Sequence, residues 1–183
     1  MVWRDIRWER VLLSFIVGLI ILFGANKLNT FWRVEKPLEK KILLVNGVKK
    51  VRWEKKNYGL VLYLTLGDLK NLQQTVETAV KLAEEKTGLS VTEIILHDKP
   101  NEKLLNVFYE QHFFISEAAV KGNFGEMKKF VEEIAARAGI ADEKVYIGEN
   151  YLFVQIKDDF HYLYRIIKRQ NESVMAKGGN SSI

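Results

Sequence analysis

The sequence predicts an α+β protein: an N-terminal single transmembrane helix, followed by an αββαβ unit and a second ααβββ unit. Three observations predict this class. Residues 11–25 form an apolar run without a charge. Several short segments alternate apolar and polar residues with a period of two, which is typical of strands. Between them, apolar residues recur every three or four positions, which is typical of amphipathic helices.

The composition is that of a globular chain. It has 183 residues, of which 48% are hydrophobic and 28% are charged, and it contains no cysteine. These values exclude collagen-like and largely disordered chains. The missing thiols exclude disulfides, thiolate metal sites, a cysteine nucleophile and a lipidated cysteine.

The apolar run predicts a transmembrane anchor over residues 11–28, preceded by a basic tail over residues 1–10. The charge-free core, VLLSFIVGLIILFGA, is roughly 22 Å long as a helix, shorter than the ~30 Å hydrocarbon layer. Flanking aromatic and basic side chains extend it to a full span, because such side chains favour the two membrane interfaces. The predicted membrane-interface residues are Trp8, Arg10, Lys27, Phe31 and Trp32.

Two other interpretations of the run are a cleaved signal peptide and a soluble core helix. A cleavage site needs small residues one and three positions before the cut; Ala25 fits, but Phe23 does not. A core helix is usually apolar on one side, whereas this run is apolar all round. Ser14 and Gly18 have the spacing of a helix-packing pair, and a lipid-facing glycine is the alternative.

The orientation of the anchor follows from two opposing features. A count of Lys and Arg on the two sides favours a cytoplasmic C-terminal side. Long domains, however, cross largely regardless of charge, and a short basic tail before the first span tends to stay inside. We therefore expect a cell-membrane protein with its C-terminal domain outside the cytoplasm.

The first unit is predicted over residues 34–98. A short helix begins at Pro37, and Gly47 ends it. Two alternating segments joined by a short turn, Val48–Glu54 and Leu60–Leu66, predict a hairpin. Asp68 is the predicted N-cap of a second helix, which Gly88 ends and the strand Val91–Leu96 follows.

The second unit is predicted over residues 99–169. Its elements are a helix over Glu102–Lys121, a helix capped by Asn123 and ended by Gly139, and strands over Lys144–Ile147, Tyr151–Lys157 and Phe160–Arg169. A short helix is the alternative for the last of these. The two units can form one domain or two, and residues 170–183 are predicted to be a disordered tail.

No arrangement of residues predicts chemistry. His97, His112 and His161 do not stand at metal-ligand spacing. His112 is expected to be a buried imidazole, and His97–Asp98 a turn cap. Nucleophile, phosphate-loop and dinucleotide motifs are absent from the sequence. We therefore predict no catalytic, cofactor-binding or metal-binding residue, and no enzyme.

The positive charge lies next to the predicted anchor. Residues 35–56 carry a net charge of +5, whereas residues 57–99 carry −2 and residues 100–169 carry −1. This predicts a juxtamembrane patch attracted to anionic lipid, and the patch consists of Lys36, Lys40, Lys41, Lys49, Lys50, Arg52, Lys55 and Lys56. Nucleic acid is disfavoured as a partner, because Trp53, which follows Arg52, alternates in phase with Val51 and is expected to be a core residue rather than an exposed base-stacking one.

One group of features recurs together in residues 38–96: Asn46-Gly47-Val48 between helix and strand, Val51, the strand Leu60–Leu66, the helical stripe from Val76 to Ala83 and the strand Val91–Leu96. In these features the segment resembles the ring-building-motif domains of membrane-anchored sporulation and secretion-ring proteins. The resemblance implies oligomerisation through domain faces and no catalytic residue. The second unit has no counterpart in that family.

The predicted function is therefore that of a bacterial, single-pass membrane protein with an α+β protein-interaction or assembly domain. Its expected partners are membrane lipid and either another protein or further copies of itself. One alternative is a membrane-tethered enzyme or small-ligand-binding domain. Another is a domain that binds anionic lipid or nucleic acid beside the membrane. A contiguous exposed apolar surface would favour assembly, and a buried polar pocket holding His97 or His112 would favour the enzyme.

Overall fold

The computed structural model describes residues 12–21 and 36–170. The elements, in chain order, are helix α1 (residues 12–21), α2 (Lys36–Leu43), β1 (Val48–Lys56), β2 (Gly59–Leu66), α3 (Leu72–Thr87), β3 (Val91–His97), α4 (Glu102–Lys121), α5 (Phe124–Arg137), β4 (Asp142–Ile147), β5 (Tyr151–Asp158) and β6 (His161–Lys168). The αββαβ and ααβββ orders are confirmed. The five predicted membrane-interface residues and residues 171–183 lie outside the described ranges.

The first sheet has the strand order β1-β2-β3, with β1 antiparallel and β3 parallel to β2. Because side chains alternate along a strand, Leu60, Leu62 and Leu64 all point to one face, where α2 and α3 cover them. These leucines are fully buried in a first core cluster. The opposite face carries most charged side chains of β1 and Glu93, together with Val61, Tyr63 and Ile95 of β2 and β3.

The second sheet has the antiparallel order β4-β5-β6 and is buried on both faces. Phe153 and Tyr164 point into the first core. Leu152, Val154 and Leu163 point the other way, into a second core under α4 and α5. The two predicted units therefore share a core, and α4 and α5 lie on the far side of the second sheet from α3.

Asp98, in the segment between the two units, binds β6. Its carboxylate accepts hydrogen bonds from the Tyr164 backbone N–H at 2.7 Å and from the Arg165 guanidinium at 2.8 Å. The Tyr162 N–H donates to the Lys99 carbonyl at 3.0 Å, so the chain after β3 runs beside the edge of β6. The expected turn cap at His97–Asp98 is therefore wrong, because the partners of the Asp98 carboxylate lie on β6, 66 and 67 residues further along the chain.

The predicted N-cap of α3 is wrong. Asp68 is exposed, with its carboxylate 2.6 Å from Lys157 Nζ. The helix begins one turn later, where Asn71 Oδ1 accepts from the Gln74 N–H at 2.9 Å. The reason lies outside the helix, because Gln155 on β5 accepts from the Leu72 N–H at 3.0 Å and so fixes the first turn there.

Asn71→Ala is expected to lower the free energy of unfolding by about 1 kcal/mol, since it removes the side-chain acceptor of an N-terminal helix N–H. Asp68→Ala is the matched control and is expected to change stability by less than about 0.5 kcal/mol, because exposed ion pairs contribute little. Denaturant unfolding of both variants measures the difference. A larger loss of stability for Asp68→Ala than for Asn71→Ala would show that Asp68 is the N-cap of α3.

Two further predicted details differ. Asn123 is the N-cap residue of α5, but its side chain makes no capping bond, since its Nδ2 donates to Glu126 Oε2 at 3.1 Å. The last predicted segment is the expected strand and not the alternative helix; it begins at His161 because Phe160 lies in the preceding turn. Gln170, placed in the predicted tail, donates its N–H to the Ala119 carbonyl at 3.0 Å.

Among residues 12–21 and 36–170, no helix is long and apolar enough to cross a membrane.

Candidate interaction surface

The outward side of α4 is apolar, although its inward side already fills the second core. Leu104, Val107 and Ile115 are buried beneath the helix. On the opposite side, Leu105, Tyr109, Phe113, Ser116 and Val120 follow one another at intervals of three or four residues, and we call these five residues the α4 band. Its large members are 44% (Leu105), 67% (Tyr109), 60% (Phe113) and 52% (Val120) exposed. A helix that is apolar on both sides is normally covered on both sides.

The rings of the α4 band form an ordered cluster. Phe113 lies edge-on to Tyr109, with ring centroids 6.0 Å apart, and against His112 at 3.8 Å. His112 Nδ1 lies beside the Tyr109 carbonyl of the same helix. The expectation of a buried His112 is therefore wrong, because the ring lies at the margin of the band and is partly exposed.

The charges beside the α4 band neutralise one another. Glu110 pairs with Arg137 of α5, and Lys121 pairs with Glu117 one turn away at 2.6 Å. Lys103 pairs with Asp158 at 2.9 Å, and hydrogen bonds from Lys103 and Asn101 keep the pKa of that carboxyl below its usual value. These three pairs are neutral and the exposed Glu102, one turn before Leu105, is acidic, so the surroundings of the band carry no excess of positive charge.

The predicted basic patch is divided by the fold. Alternation along β1 places Lys50, Arg52 and Lys56 on the open face of the first sheet. Glu54 and Glu93 lie among them, with Arg52–Glu54 at 3.6 Å and Lys56–Glu93 at 3.5 Å. The Arg52 guanidinium also lies 4.4 Å from the centre of the Tyr63 ring.

The other described members of the patch lie elsewhere. Lys40 and Lys41 are exposed on α2. The aliphatic carbons of Lys49 lie against Gly67, and Lys55 occupies the opposite phase of β1 from Arg52. The open sheet face is therefore a mixed charged surface, and the positive charge is spread over it and α2.

A buried carboxyl lies between α4, α5 and β4. Glu143 lines a groove of about 290 Å³, whose apolar walls include Met127, Val131 and Val145. Both Glu143 oxygens are buried without a hydrogen-bond partner, as is Oε1 of the fully buried Gln111. Burial raises the pKa of Glu143 to about 7; the nearby Gln111 amide opposes this shift, and the negative charge of Glu132 adds to it.

These unpaired atoms have a simple explanation. A carboxylate and an amide oxygen are both acceptors, and neither can satisfy the other. A protonated Glu143 has an O–H to donate, and the nearby Gln111 has an oxygen without a partner, while its amide nitrogen donates to the Val131 carbonyl at 3.1 Å. Burial of this carboxyl therefore favours its neutral form.

The remaining residues singled out by sequence are dispersed. His97 is exposed at the end of β3, and His161 is partly exposed at the start of β6. In the described ranges, no group of three or more His, Asp or Glu side chains converges as a metal site. Gly18 has open space around it and Ser14 lies one turn earlier on α1, so the described structure places no second helix against this pair.

Sequence reasoning missed both the α4 band and the Glu143–Gln111 contact. The band had a signal: apolar residues in Glu102–Lys121 occupy too much of the helix circumference for one buried side. Gln111 and Glu143 had none, because burial of a polar side chain depends on the packing around it. Comparison of the chain with known protein families, curated proteins and solved structures finds no match.

Proposed function

We propose that this protein is a single-pass membrane protein whose α+β domain binds other protein subunits and assembles them beside the membrane. The α4 band is the observation that carries this proposal. Exposed apolar surface on that scale is typical of interaction sites. It favours assembly over the enzyme alternative, whose expected sign was a pocket built around His97 or His112.

The side chains of α1 support the membrane anchor. All eight large apolar residues of residues 12–21 are 40–66% exposed, and the helix has no charged residue. Exposed apolar surface of this density costs free energy in water and is stabilised in hydrocarbon, at about 25 cal/mol per Å². Lys40, Lys41 and the basic residues of β1 lie close along the chain, where anionic headgroups would attract them.

The resemblance of residues 38–96 to ring-building-motif domains supports the same function. Members of that family are membrane-anchored and oligomerise, and the observed order α2-β1-β2-α3-β3 agrees with their αββαβ order. A tether also confines the domain to two dimensions, which raises its effective concentration and lets weak surfaces associate.

The anchor is tested by washing membranes that contain the full chain with carbonate. The natural chain is expected to stay in the membrane pellet. Ile16→Asp combined with Ile20→Asp is expected to release it, because each aspartate near the centre of a span costs about 2.5–3.5 kcal/mol.

Tyr58→Asp combined with Phe160→Asp is the matched control, since it adds the same charge at exposed apolar positions of the domain, and it is expected to stay in the pellet. Release of the natural chain would refute the anchor. A reporter fused after Ile183 tests the orientation, and activity confined to the cytoplasm would reverse it.

A further inference from the structure

We propose that the α4 band is the docking site for the α4 band of a second copy of this chain, with the two helices antiparallel. This inference rests on the proposed function, because it names the partner of the same surface. The occupant is an apolar helix rather than an anionic lipid surface, since the charges beside the band are paired and leave no net positive charge. The spacing of three and four residues is that of a helix–helix contact.

The side chains of the α4 band are complementary to those of a second, antiparallel α4 band. If the two-fold axis passes between His112 and Phe113, Leu105 of one copy faces Val120 of the other. Tyr109 then faces Ser116, so the largest side chain of the band meets the smallest. Parallel helices would instead place each Tyr109 ring against its equivalent and leave Ser116 opposite Ser116.

Charge at the two ends also selects the antiparallel arrangement. Lys121 at the end of α4 is already paired with Glu117, so the helix dipoles decide the arrangement. Antiparallel helices place the N-terminus of each α4, with the exposed Glu102, beside the C-terminus of the other copy, which aligns the two dipoles favourably. Parallel helices would bring like charges together at each end.

The small area of the α4 band predicts that two bands bind each other weakly, so that pairing depends on the membrane anchor. A helix of this length is about 30 Å long and about 10 Å wide, giving roughly 300 Å² per copy. Stable interfaces bury roughly 800 Å² per partner. We therefore expect little pairing in dilute solution and substantial pairing between copies held in one membrane at millimolar effective concentration.

The test uses the absence of native cysteine. Full-length Leu105→Cys and Val120→Cys chains are produced together in one membrane and treated with a short thiol crosslinker. In the antiparallel pair, Leu105 and Val120 of different copies lie side by side, whereas two Leu105 positions lie about 22 Å apart along the helix axis. Crosslinking is therefore expected for the mixture and not for either variant alone.

Phe113→Glu, added to both cysteine variants, is expected to reduce the crosslinked fraction at least about tenfold, because a central aromatic anchor contributes much of such a contact. Tyr58→Glu is the matched control, since Tyr58 is an exposed aromatic residue in the β1–β2 turn of the first sheet, and it is expected to leave crosslinking unchanged. Thermal unfolding checks that both variants remain folded.

Each of the other possible results contradicts a stated part of the proposal. Self-crosslinking of Leu105→Cys as strong as that of the mixture would overturn the antiparallel arrangement. A chain that stays in carbonate-washed membranes without crosslinking would refute self-docking and leave the anchor standing, and a crosslink to another protein would assign the band to that protein. If carbonate releases the chain, the anchor fails, and crosslinking of the same mixture in concentrated solution still decides the pairing.

Discussion

Gln155→Leu is expected to lower the free energy of unfolding by roughly 2–4 kcal/mol, because each buried polar group left without a partner costs about 1–3 kcal/mol. Gln155 is fully buried on β5. Its Oε1 accepts from the Leu72 N–H at 3.0 Å, and its Nε2 donates to the Leu69 carbonyl at 3.4 Å. Leucine has a similar volume but can neither donate nor accept, so both backbone groups would lose their partner.

The loss of stability in Gln155→Leu is expected to be concentrated at the start of α3. Leu72 is the first residue of α3, so the variant should increase hydrogen exchange in the first turn of that helix more than elsewhere. Gln74→Leu is the matched control, because Gln74 is exposed on the same helix, and its effect is expected to be within about 0.5 kcal/mol. Equal losses for the two variants, measured by denaturant unfolding, would contradict a special role for Gln155.

The second large effect is a dependence of stability on pH that Glu143→Gln removes. In the folded protein, burial raises the pKa of Glu143 from 4.5 to about 7. The unfolded chain therefore releases this proton at a lower pH than the folded one. The stability that the protonated group confers is fully present below pH 4.5 and is lost as the pH rises through 7.

The expected size follows from the displacement of the pKa. Each unit corresponds to 1.36 kcal/mol, and screening at the open side of the groove reduces the total to on the order of 1–2 kcal/mol. Glutamine keeps the shape and a donor toward Gln111 but does not titrate. At pH 8, Glu143→Gln is therefore expected to be more stable than the natural chain, and below pH 4.5 the two should converge.

Unfolding midpoints measured from pH 4 to pH 8 test this, as the difference between the natural chain and the variant. Glu133→Gln removes an exposed carboxylate of α5 and is expected to leave the pH profile unchanged. A natural chain whose stability relative to Glu143→Gln stays constant across this range would show that folding does not raise the pKa of Glu143. Loss of folding in Glu143→Gln at every pH would instead indicate that the carboxylate is structurally required.

The α+β order could be predicted because each element carries a local signal. The alternation of Leu60–Leu66 and the glycines after α3 and α5, Gly88 and Gly139, both with positive φ, depend on residues close in the chain, whereas α2 ends at Leu43, four residues before the expected Gly47. Helix starts were less predictable. Asp68 and Asn71 are both good N-caps, and the choice between them is made by Gln155, which is 83 residues away from Leu72.

The sequence by itself determined the elements, their order, the charge-free run near the N-terminus and the absence of thiol chemistry, because periodicity and composition act over a few residues. Only the tertiary structure decided that both units share a core, that the basic residues of β1 lie with Glu54 on an open face, and that the carboxyl of Glu143 is buried in a groove near Gln111. It also decided which side of α4 remains uncovered. These properties depend on which distant surfaces exclude water from one another, and neighbouring residues in the chain do not encode that.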